Sequence, residues 1–306
     1  MLNPILAFSA TRRMRSFRTL LIAAAWLAAM LAVVLLVMGS LFGNEVTIRN
    51  LHSSVNGYLA LMIVQFALIV LIAPAMTSGS IAGERERQTL ELLLVTNTRS
   101  FRIVVGKAME SFAMLALLIA CGLPVMCLTM MAGAVTLPQI LAGELFLLVV
   151  AFAAVCVGVL ASSLARSSVA GGVISYLIIF GIGLVTTLPV LLDIGFSKEV
   201  TDIVYNRSAL AALPSGAALG MISPLLFLNP GYALAALLHG QTGIFTSMLQ
   251  YQDYGRLLCS FKLMDRAGGE TVALISCGAV ALLGALLLVL AALVLRRTAR
   301  KSGSGK

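Results

Sequence analysis

From Thr271 to Leu295 the chain runs without a single Asp, Glu, Lys or Arg, and five other long stretches do the same. A helix needs about 20 apolar residues to cross the hydrocarbon core of a bilayer. Thr19–Asn44, Asn50–Gly83, Ser111–Gly143, Leu145–Ala165 and Ser167–Leu192 all meet that length. Uninterrupted runs exclude a transmembrane barrel, whose strands alternate with a period of two. Of the 306 residues, 60% are hydrophobic and 11% charged, whereas soluble domains carry about 25% charged residues. A chain so poor in charge cannot cover a soluble surface. The sequence predicts an all-α integral membrane protein, with one transmembrane domain over residues 1–306. Its six spans are expected at about 19–43, 58–83, 111–135, 145–165, 168–192 and 271–295.

One further charge-free stretch, Ser208–Gln252, is broken by Pro214, Pro224 and Pro230 and by five glycines. Breaks this dense divide it into short helices. Two re-entrant helices that dip in and return fit better than two full spans, because irregular backbone at membrane depth survives only under cover of protein or a wet cavity. They belong to an outer segment, 193–270, between spans five and six. The first 18 residues hold Ile5, Leu6, Phe8, Met14 and Phe17 among four arginines. They suit a helix lying in the inner interface, or a plain basic flank that fixes orientation. The N-terminus does not read as a cleavable signal peptide.

The net charge of +9 is best explained by basic loops held inside, not by nucleic acid. With the N-terminus inside, the inner segments carry fifteen Lys and Arg and the outer ones six, which places both termini in the cytoplasm. Four of the five cysteines lie in apolar runs and no CxxC pair occurs, so no metal site or disulfide framework is implied.

The spans hold no charged residue at their centres; Glu110, Glu144 and Arg166 are expected at ends, within reach of the interface. That argues against ion-coupled carriers, pumps and voltage sensors. His52 and His239 fall in outer segments and form no HExxH, so each reads as an interfacial polar residue. Gly106-Lys107 lacks the upstream glycine and the following hydroxyl of a phosphate loop. The chain is therefore not expected to hydrolyse ATP or to hold a cofactor of its own.

The inner loop, 84–107, stands apart. It packs Glu84, Arg85, Glu86, Arg87 and Glu91 beside an apolar patch, and Thr96-Asn97-Thr98 are residues that start turns or cap helices. A second short helix is expected to begin at about Arg99. The loop is either a solvated, self-paired surface or a docking surface for a soluble partner.

Gly83-Glu84-Arg85-Glu86-Arg87-x-Thr-Leu-Glu-x-Leu-Leu, followed by Thr96 and Gly106-Lys107, resembles the permease subunits of ABC-2 type transporters. Asn97 departs from the proline the family usually has there, and Arg102 from a frequent acidic residue. The resemblance implies a multi-pass protein of the plasma (inner) membrane, pairing with a second permease chain to form one export path. Separate cytoplasmic ATPase subunits, carrying ATP and Mg, would dock on the loop. Glu84, Arg85, Glu86, Arg87 and Glu91 would transmit motion; Thr96, Asn97, Arg99 and Arg102 would form the docking helix. Gly79 and Gly83 are spaced for close helix approach, as are Gly39 and Gly43. A membrane scaffold that recruits a soluble partner, and an ATP-independent carrier or channel, remain alternatives. The scattered polar residues of the spans do not name a substrate.

Overall fold

The computed structural model describes residues 17–42, 49–88, 100–131, 133, 135–203, 227–242 and 268–303. Among them the regular structure is entirely helical: α1 Phe17–Phe42, α2 Arg49–Thr77, α3 Ala82–Glu86, α4 Ser100–Met131, α5 Leu137–Leu164, α6 Ser168–Ile203, α7 Pro230–Thr242 and α8 Gly269–Gly303. Five helices, α2, α4, α5, α6 and α8, are long and apolar enough to cross a membrane, while α1 holds a shorter apolar stretch, Leu20–Leu36. The chain is thus a membrane-embedded protein whose described residues are built from helices.

Two compact units divide the chain within α6 and α8: Met1–Ile179 with Ala281–Lys306, and Phe180–Val280. In the first, α5 packs against α2 and α4, and α1 lies against those same two helices. Of the most apolar window of α5, 72% is buried, against 17% for α6. In lipid there is little hydrophobic drive to bring helices together, so close approach depends on small residues. At Gly158 a Cβ would collide with the Thr77 hydroxyl of α2. At Gly171 of α6 a Cβ would lie 2.7 Å from the Ser78 carbonyl oxygen, a backbone atom that cannot step aside. Gly79 and Gly83 both face Ser168, at 3.8 and 3.3 Å from their would-be Cβ atoms, so their spacing serves packing within the chain. Gly39 and Gly43 lie outside the described side chains.

Residue pairing fixes helix direction. Tyr58 meets Gln139, Gln65 meets Glu144, and Ile81 meets Ser162. Both numbers rise together, so α2 and α5 run parallel. Lys107 of α4 meets Glu84, and Gly122 sits against Gln65, so α4 runs antiparallel to them. The end of α2, the start of α4, the end of α5 and the start of α6 therefore gather at one end of the first unit.

Several helix limits differ from the charge-based reading. α5 starts at Leu137, not near Leu145. Thr136 is its N-cap, Pro138 sits in its first turn, and the Thr136 N–H donates to Gln139 Oε1 at 2.8 Å. Capping chemistry, not the nearest charge, starts the helix, and Glu144 lies two turns inside it. α4 starts at Ser100 and continues unbroken to Met131. The expected short helix at Arg99 is instead the first turns of a spanning helix, carrying Arg102 and Lys107.

In the second unit, α7 begins at Pro230: Asn229 Oδ1 accepts from the Gly231 N–H at 2.8 Å, and proline needs no partner in the first turn. Gly240 of α7 and Gly269 of α8 come together so closely that a Cβ on either would strike the other's backbone region, 2.8 Å from Glu270 N or 2.6 Å from Gly240 N. His239 is buried in this unit. The remainder of Ser208–Gln252, and the N-terminal segment up to Ser16, lie outside the described residues.

Candidate functional site

Beyond Thr77 the chain turns through Ser78–Ile81 into the five-residue α3. A helix this short leaves most of its N–H groups without an internal partner, and Ile81 at its N-cap has no side chain to offer one. Ser162 of α5 supplies the cap. Its Oγ accepts from the N–H groups of Ile81 at 3.0 Å and Ala82 at 2.9 Å, and donates to Ser78 O at 2.8 Å. One hydroxyl thus uses its donor and both acceptors.

Arg85 completes the joint from the other side. Its guanidinium donates to the carbonyls of Ala165 and, at 3.2 Å, Ser163. These carbonyls belong to the last turn of α5, where backbone acceptors lack partners and the helix dipole favours a cation. Glu86 reaches α6: its Oε2 accepts from the Ser168 N–H at 3.2 Å and hydroxyl at 2.8 Å, at a helix N-terminus that favours an anion. Glu86 lies past the end of α2 and is exposed, and the bonds from the Ser168 side chain and backbone hold its carboxyl below the usual carboxylate range. Glu84 forms an ion pair of 2.7 Å with Lys107 of α4. Gln88, at φ 59°, takes the left-handed backbone that ends α3.

The structure therefore sorts the residues singled out in the sequence. Glu84, Arg85 and Glu86 are engaged within the chain and tie one elbow, Ser78–Arg87, to α4, α5 and α6. Arg87 and Arg102 are exposed, and neither forms an ion pair among the described residues. Glu91, Thr96, Asn97 and Arg99 lie outside the described residues. Ser162, Ser163 and Ser168 were missed by the sequence reading. Serines at a break between two apolar runs were the available signal, because such residues cap helix ends.

A second polar cluster lies deeper. Glu144 is 5% exposed and Gln65 fully buried, and the Gln65 Nε2 donates to Glu144 Oε2 at 3.0 Å. Trp26 of α1 and Gly122 of α4 close over the same level: a Cβ at Gly122 would be 3.0 Å from Gln65 Nε2 and 3.5 Å from Trp26 Nε1. The expectation that Glu144 reaches the interface is corrected. Seven residues into α5, about 10 Å from its start, it points into the bundle. A bare carboxylate in such a place costs about 3 kcal/mol or more. Among the described residues no group of His, Cys, Asp and Glu side chains could hold a metal ion.

No family model matches the chain, and no curated protein matches its sequence.

Proposed function

We propose that the protein is the permease subunit of an ATP-driven exporter of the ABC-2 type, with six spans, both termini in the cytoplasm and a re-entrant segment between spans five and six. The observation that carries this reading is the position of Gly83-Glu84-Arg85-Glu86-Arg87. The segment that resembles the family's coupling motif is hydrogen-bonded to α5 and α6 and ion-paired to α4. A push on this elbow reaches the ends of four long helices at once. A docked ATPase would bias them by binding one arrangement better than the other, the requirement for any ligand-driven shift. Arg87 and Arg102 are the charges left to meet that ATPase, with Glu91, Thr96, Asn97 and Arg99 completing the docking surface. ATP and Mg belong to the partner chain. The exposed row Val169, Val173 and Leu177 on α6 suits bilayer lipid or a second permease chain.

Reconstitution tests this reading. With its ATPase in liposomes, the chain should raise ATP hydrolysis above that of the ATPase alone, and Arg87→Glu with Arg102→Glu should remove the increase. Hydrolysis indifferent to the chain contradicts the reading.

One observation favours a second reading, a carrier working without an ATPase. The buried Glu144–Gln65 pair removes the argument that the spans lack ionisable groups. Solute flux through the purified chain in liposomes without ATP would select it.

A further inference from the structure

Three of the buried polar atoms that lack a partner among the described residues gather at one level of the first unit: Trp26 Nε1, Gln65 Oε1 and Glu144 Oε1. The bond from Gln65 Nε2 to Glu144 Oε2 joins two planar groups at one corner. The atom left over on each, Gln65 Oε1 and Glu144 Oε1, is an acceptor whenever Glu144 is ionised. Two leftover acceptors on bonded partners, both buried, are two unmet hydrogen bonds. A single proton on Glu144 Oε1 converts one of the two leftover acceptors into a donor for the other. The result is a reciprocal acid–amide pair in which amide and acid each donate once and accept once.

Among the described residues no Lys, Arg or His pairs with Glu144. On α2 the titratable neighbour is Tyr58, whose hydroxyl donates to Gln139 O at 3.5 Å. On α4 the groups nearest this level are Cys121 and Cys127, while Arg102, Lys107 and Glu110 lie three or more turns away toward the elbow. The charges of α3 are at the elbow too, α1 brings Trp26 to this level, Tyr176 of α6 donates to Leu71 O, and among the described residues Arg296 of α8 makes no ion pair.

We propose that Glu144 is a single-proton binding site: its carboxyl carries a proton on Oε1, donated to Gln65 Oε1, in the packed bundle. Binding takes one proton from solvent, and no other bond is made or broken. The site stands apart from the elbow, and the proposal is the same under either reading of transport.

The test uses the full chain in lipid nanodiscs. Infrared spectra at neutral pH should show a protonated-carboxyl carbonyl band that is missing in Glu144→Gln. Gln65→Leu should keep the band but shift it toward that of an unbonded acid. The pH dependence of stability supplies a second reading. The folded chain binds a proton that the unfolded chain has released, so wild-type stability falls as pH rises, by up to tenfold in the folding constant per pH unit, relative to Glu144→Gln. Should Glu144→Gln fail to fold, the Gln65→Leu band shift decides. Absence of the band, an unmoved band in Gln65→Leu, or wild-type and Glu144→Gln profiles that run parallel would overturn the proposal. So would sodium-dependent recovery of alkaline stability in the wild type, which would make the occupant a metal cation.

Discussion

Along the parallel helices α2 and α5, the elbow and the Gln65–Glu144 pair sit roughly 25 Å apart along the helix axis, and their polar groups are managed in different ways. At the elbow, Ser162 is saturated by three backbone groups, Arg85 bridges two helix-end carbonyls, and Glu86 caps a neighbouring helix. The partners there are backbone groups that a helix end always leaves over. In the bundle Gln65 and Glu144 bond to each other through one atom each, and among the described residues the other atom of each goes unmet. Helix ends offer backbone partners to long polar side chains; Gln65 and Glu144, away from any helix end, are left with one unmet atom each among the described residues.

The largest effect is expected where the elbow loses its shared hydroxyl. Ser162→Ala leaves the buried N–H groups of Ile81 and Ala82 without their acceptor and should cost about 2–4 kcal/mol, read as a lowered unfolding midpoint in detergent. A loss below about 0.5 kcal/mol would mean that water replaces Ser162 and that the elbow is not clamped. Gly158→Ala pushes a methyl group into Thr77 and should cost about 1–3 kcal/mol by overpacking. Pairing it with Thr77→Ala, which removes the obstructing hydroxyl, should recover much of that loss; no recovery would place the strain elsewhere. Glu144→Gln keeps shape and hydrogen bonding and should change stability at neutral pH by less than about 1 kcal/mol, where Glu144→Lys, a buried cation without a partner, should prevent assembly of the bundle. Equal tolerance of both would dissolve the contrast between the two clusters. Smallest of all, Arg87→Glu and Arg102→Glu should move stability by less than about 0.5 kcal/mol, since both residues are exposed and unpaired among the described residues.

The helical class and the long apolar helices were legible in the sequence because charge-free length is a direct requirement of the bilayer. The Gly83–Arg87 segment was legible because opposite charges packed beside an apolar run are rare in so uncharged a chain. Where helices begin was less legible. A charge such as Glu144 looks like a boundary, but Thr136 and Gln139 set the boundary by capping, and a buried partner on a distant helix then receives the charge. The division of labour at the elbow was not legible. Which of Glu84, Arg85, Glu86 and Arg87 turn inward depends on Ser162, Ser168 and Lys107, which lie about 20 to 80 residues away in the chain and meet them only where α4, α5 and α6 come together at the end of α2.

The central claim, that the elbow serves an ATPase, is tested most directly by affinity purification of the tagged chain from its native membranes in mild detergent, followed by mass spectrometry. The account predicts a phosphate-loop ATPase in near-equal amount with the wild type, and its loss from the Arg87→Glu/Arg102→Glu chain, which remains folded. Recovery of no such ATPase, under conditions that keep other membrane complexes whole, would contradict it.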